Sequence, residues 1–164
     1  MWMGIYAPNR VRKIVLANTA SRIGTREMWD ERIRTVERFG MGPLSKSTPE
    51  RWFTASYRDR NPDEMERMSR TVANTDANGY AGCCGALRDT DLTGQLGAIG
   101  APCLVIAGTH DPATPPSDGR ALHSALRDSS YEELDASHLS AWERPTEFSQ
   151  AVLRFVERGG PANG

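Results

Sequence analysis

The chain has 164 residues, 38% of them apolar and 25% charged, which is enough for one compact domain with a real core. A formal net charge of −1 argues against nucleic acid or an anionic membrane as partner, and no apolar run approaches the length that spans a bilayer. Three cysteines, two of them adjacent, make no disulfide framework, and the start lacks the basic leader of a secretion signal, so a reducing, cytoplasmic setting is expected.

Residues 1–6 are apolar with no capping residue before them, and Ala7-Pro8-Asn9 breaks the pattern. They read as the end of a buried helix entered partway. Residues 11–18 form the short, β-rich apolar run of a buried strand. Together they predict the tail of a βαβ unit whose first strand lies before Met1. From Thr25 to Met68 bulky apolar residues recur at helical spacing among charges, as at Met28, Trp29, Ile33, Val36 and Phe39. Gly40, Gly42, Pro43, Pro49 and Pro62 divide this stretch into short helices, which suit a cap inserted into an α/β pattern; plain surface helices are the other reading. Residues 80–88 predict one more short helix.

A strand at 102–107 then leads to Gly108 and a loop ending at Asp111. Pro115 and Pro116 open a helix through Ala121, Leu122, Ala125 and Leu126, and residues 130–134 form a further strand before His138. A last helix starts at Pro145, with Phe148, Val152, Leu153, Phe155 and Val156 on one face, and Gly159 and Gly160 end it. The predicted organisation is a helix end and first core strand at 1–20, a helical cap at 21–79, a carboxyl-terminal core at 80–158 and a frayed tail at 159–164. The fold class is α/β: three parallel strands joined by right-handed crossovers, with flanking helices and a helical cap insertion.

Functional groups of such sheets lie at the carboxyl ends of the strands, where Asp111 and His138 fall. Taken singly, Asp111 could cap a turn and His138 could be a loop histidine bonded to the main chain. Taken together, after successive strands, they are an acid and a base of an acyl-transfer triad. The imidazole would move a hydroxyl proton while the carboxylate fixes its tautomer. His110 reads as a loop or pocket residue and His123 as a helix-surface one. No metal is expected, because neither HxxxH nor HExxH occurs.

No serine stands in a Gly-x-Ser-x-Gly frame. Ser137 points along the wrong side of its loop for the task. Cys83 and Cys84 precede the acid and base in the right order, but no strand leads into Gly82, so no nucleophile elbow forms there. Close helix packing by small residues explains residues 81–86 better.

Several stretches resemble the carboxyl-terminal portion of α/β-hydrolases, and specifically the 3-oxoadipate enol-lactonases. They are residues 7–20 (APNRVRKIVLANTA), Arg22-Ile23-Gly24, Arg51-Trp52-Phe53-Thr54, residues 79–89 (GYAGCCGALRD), residues 107–116 (AGTHDPATPP), and Ala136-Ser137-His138-Leu139-Ser140 running on to Glu143-Arg144-Pro145. The acid and base loops are generic to the superfamily, whereas residues 79–89 and Asp111 to Pro116 are narrower.

The resemblance implies a partial α/β-hydrolase fold and a Ser-Asp-His triad in which Asp111 and His138 are catalytic. The serine would lie a short way before Met1, and the oxyanion-hole amides would also come from outside these residues. In a subtilisin-type triad, losing the serine alone costs on the order of a million-fold in turnover, so this chain is expected to be inactive by itself. The implied reaction is hydrolysis of 3-oxoadipate enol-lactone to 3-oxoadipate, without a cofactor. The implied partner is a small lactone bearing a free carboxylate, for which Arg22 and Arg88 are candidate cationic contacts and Trp52 a candidate pocket wall. A further partner would be the missing amino-terminal half or another chain. The alternatives are a different esterase or lactonase of the same fold, or a non-catalytic fragment that acts only by docking to a chain with the missing half.

Overall fold

The structure, a computed structural model, describes residues 1–158; the predicted tail and the glycines expected to end the last helix lie outside the described residues. In chain order the elements are α1 (Trp2–Tyr6), β1 (Ile14–Ala17), α2 (Arg26–Phe39), α3 (Gly42–Trp52), α4 (Ala55–Arg60), α5 (Pro62–Ala73), α6 (Ala77–Asp89), β2 (Cys103–Gly108), α7 (Pro116–Ala125), β3 (Ser129–Leu134), α8 (Ser140–Glu143) and α9 (Pro145–Glu157). They fall into two units. One holds residues 1–21 and 92–158, and the other is Arg22–Asp91.

In the first unit the strands are parallel and ordered β1-β2-β3. Central β2 is buried along its whole length, which is why it is a continuous apolar run rather than an alternating one. Cys103 and Val105 pack on one face with Leu16, Leu122 and Leu126, while Leu104 and Ile106 pack on the other with Leu134, Ala151 and Phe155. Burial of side chains this size contributes about 2 kcal/mol each. Edge strand β3 is more polar, with Glu132 paired to Arg154 at 2.9 Å and Glu133 paired to Arg120. Such charges protect an edge from pairing with other chains.

The observed β1 is narrower than residues 11–18, because Val11 and Arg12 precede the ladder and pairing with β2 begins at Ile14. Lys13, just before it, turns its ammonium to α9 and donates to the carbonyls of Phe155 at 2.8 Å, Val156 at 2.7 Å and Arg158. Carbonyls in the last turn of a helix have no donor within the helix itself.

In the second unit, Thr25, Thr54 and Asp76 cap α2, α4 and α6 by accepting from the backbone N–H of Met28, Tyr57 and Gly79. Gly40 ends α2 at φ 66, in the left-handed region. Pro43 and Pro62 lie in first turns, as the spacing predicts. Pro49 does not divide helices: it is buried inside α3, where packing offsets the hydrogen bond it withholds. Val36, Met41 and Val72 form the unit's core, covered by Leu44, Trp52, Ala77 and Tyr80.

The helical unit also extends beyond residue 79, where the sequence places its boundary. The reason is α6, which packs along α2 and is tied to it by Arg88–Asp30 and Arg26–Asp89 ion pairs, each at 2.8 Å. Among the described residues no helix is long and apolar enough to cross a membrane.

Candidate active site

The carboxyl ends of β2 and β3 are stitched together by main-chain bonds. Thr109 N–H donates to the Leu134 carbonyl at 2.9 Å, and His110 N–H to the Ala136 carbonyl at 3.0 Å. Gly108 permits this approach. A Cβ there would meet the Ser137 carbonyl oxygen at 2.3 Å and that of Ala136 at 2.6 Å. The loops that follow carry Asp111 and His138.

The structure places Asp111 Oδ2 and His138 Nδ1 2.8 Å apart, with the carboxylate side chain fully buried and the imidazole a quarter exposed. Oδ1 accepts from the N–H groups of Ala113 at 2.8 Å and Thr114 at 3.1 Å. Oδ2 also accepts from Thr114 Oγ1 at 2.8 Å and Asn18 Nδ2 at 3.1 Å. Burial pushes the Asp111 carboxyl up, but bonds from His138 and Thr114 outweigh it and hold the group at about 2. An ionised carboxylate only accepts, so a proton sits on Nδ1, and in the neutral ring Nε2 then keeps its lone pair. An open cavity of about 580 Å³ adjoins this imidazole, walled by Leu139, Trp142, Pro145 and Phe148. The arrangement can take a proton at Nε2 and stabilise the cation that results.

Two side chains that bond the carboxylate, Asn18 and Thr114, escape sequence reading, as does Ser140, which bonds Asn18. Asn18 ends β1 and contacts both loops, and Ser140 Oγ donates to its Oδ1. Their only signal is polar residues next to strand ends or to the acid and base. Ser137 is buried and donates from Oγ to the His110 carbonyl at 3.3 Å, while its N–H approaches buried Glu143 at 3.4 Å. His110 faces outward and pairs with Asp135 at 2.9 Å, which Arg144 also holds. His123 lies in α7, exposed, 2.7 Å from Ser129 Oγ.

The remaining sequence-predicted residues belong to the helical unit. Arg22 pairs with Asp91 at 3.7 Å and is exposed. Arg88 is held by Asp89 and Asp30, each at 2.8 Å, and the Asp89 and Asp30 carboxylates push its guanidinium up. Trp52 is half-buried on the Val36–Met41–Val72 core. Gly82, Cys83 and Cys84 lie inside α6, with Cys83 exposed and burial pushing the Cys84 thiol up. No group of three or more His, Cys, Asp or Glu suited to a metal occurs among the described residues.

Residues 71–160 match the family model of the α/β-hydrolases described as TAP-like protein. The chain is 38% identical to 3-oxoadipate enol-lactonase 2 of Acinetobacter baylyi, over 96% of this chain and 59% of that protein. It is 37% identical to 3-oxoadipate enol-lactonase 1 of the same organism with the same coverage. Among solved structures, the enol-lactonase from Burkholderia xenovorans LB400 superposes with a TM-score of 0.91 at 38% identity, covering 94% of this chain and 59% of that one. The chain thus spans 59% of the length of these two curated relatives.

Proposed function

This chain belongs to the α/β-hydrolases, in the family described as TAP-like protein, and resembles the carboxyl-terminal portion of the enol-lactonases; from that premise we propose that it supplies the acid and base of a serine hydrolase acting on 3-oxoadipate enol-lactone. Asp111 would hold His138 as the Nδ1–H tautomer. His138 Nε2 would take the proton of an attacking serine hydroxyl, and Asp111 would stabilise the imidazolium. The ring C–O bond then breaks, the enol oxygen leaves with the proton from Nε2, and an acyl-serine remains. Water, deprotonated at the same nitrogen, attacks the acyl carbon; the bond to the serine oxygen breaks, that oxygen takes the proton back from Nε2, and 3-oxoadipate results once the enol has shifted to the ketone. Each turnover consumes one lactone and one water.

No serine of these 164 residues stands in the elbow frame, so the nucleophile and the oxyanion-binding amides are proposed to come from polypeptide outside this sequence. Arg22, Arg88 and Trp52 remain the proposed substrate contacts. Arg22 has the loosest carboxylate partner, at 3.7 Å, and is the readiest of the two arginines to take a substrate carboxylate.

The 2.8 Å contact between a fully buried carboxylate and a part-exposed imidazole supports this reading most directly. It is tested by mixing the chain with a separately expressed segment of an enol-lactonase that carries Gly-x-Ser-x-Gly, and following lactone hydrolysis. Turnover should appear and should fall on the order of a thousand-fold or more with His138→Ala. Stable association without turnover on the lactone or on simple esters would point to a docking role instead.

A further inference from the structure

The acid and the loop that carries the base share a side chain that the proton-transfer scheme does not use. Asn18 closes β1 at φ 47, a left-handed conformation that asparagine tolerates better than most residues. From there Nδ2 donates to Asp111 Oδ2 at 3.1 Å and to the Ser137 carbonyl at 3.2 Å, while Oδ1 accepts from Ser140 Oγ. A carboxylate and a carbonyl only accept, so the amide can face them in one orientation.

The other donors to Asp111, apart from His138, are Ala113 and Thr114, and both belong to the acid's own loop. They hold the carboxylate to its turn without reference to the base. Asn18 stands directly after a different strand, β1, and grips both the carboxylate and the carbonyl immediately before His138. We propose that Asn18 is a positioning residue that sets the acid loop against the base loop and keeps His138 in the Nδ1–H tautomer with Nε2 free. Its catalytic meaning rests on the triad reading, but its test does not need turnover.

The measurement is the ring ¹⁵N spectrum of His138 in this chain, at a pH where the imidazole is neutral. The parent should show Nδ1–H. Asn18→Gly deletes the amide while allowing positive φ. It should move the tautomer ratio roughly tenfold toward Nε2–H, the effect of one hydrogen bond to a charged group, and speed exchange of the Nδ1 proton. Ser140→Ala leaves Asn18 in place but frees its oxygen, and should shift the ratio the same way by less; it decides alone should Asn18→Gly not fold. Asp111→Asn is the reference and should abolish the Nδ1–H preference. If both other variants keep the parent ring spectrum while Asp111→Asn changes it, even with a lower melting temperature, Asn18 is only structural and the proposal is overturned. If Asp111→Asn also leaves the spectrum unchanged, the pair itself fails, and the triad reading with it.

Discussion

Asp111 is ionised with its side chain shut away from water, so its protonation is coupled to folding. Its carboxyl is held at about 2 in the folded chain, against roughly 3.9 when unfolded. The lower folded value means the contribution is complete above pH ~4 and is lost as pH falls toward 2. Urea midpoints measured from pH 5 to 2 should therefore fall steeply in the parent and less steeply in Asp111→Asn. Gly108→Ala should be costly for a different reason. Its methyl would press on two carbonyl oxygens of the base loop, at 2.3 and 2.6 Å, and backbone cannot swing aside as a side chain does. A loss of about 2 kcal/mol or more in urea unfolding is expected, together with a weakened His138 contact. Asp111 and His138 are legible in the sequence because each follows a strand and so lies at the sheet's carboxyl edge. Asn18 is not legible: it reads as the last residue of a strand, and only the adjacency of β1 to β2 brings it to the carboxylate.

Among the elements, α9 depends on a residue far from it in sequence. The Lys13 ammonium bonds carbonyls at the end of α9 and lies 5.3 Å from the centre of the Phe155 ring. Lys13→Met should cost about 1 kcal/mol and speed amide exchange in the last turn of α9, with little change in β2. The strands and the starts of α2, α5, α7 and α9 can be read from the chain, since Thr25 and the first-turn prolines act locally, whereas α6 begins at Ala77, ahead of the predicted residues 80–88. Pro49 misleads, because its burial is a tertiary fact that outweighs a local propensity. The boundary near residue 79 misleads likewise. Nothing in residues 77–89 announces that Arg88 will meet Asp30 across to α2.

At the scale of the whole molecule, the class and the parallel strands follow from the sequence pattern, while the order of the strands in the sheet and the helical unit's extent need the packing. The register of the sheet carries a consequence for which changes in length the protein can absorb. Gly108 stands opposite Leu134, so Asp111 lies three positions past that pair and His138 four. One residue inserted between Thr109 and His110, or between Ala136 and Ser137, advances one loop tip by about 3.3 Å. That exceeds the slack in a 2.8 Å bond, so either insertion should erase the Nδ1 proton signal of His138. An extra residue between Leu126 and Arg127, at the opposite end of the strands, should leave that signal intact. Relatives of this chain should thus vary in length on one rim of the sheet and keep a strict count on the other.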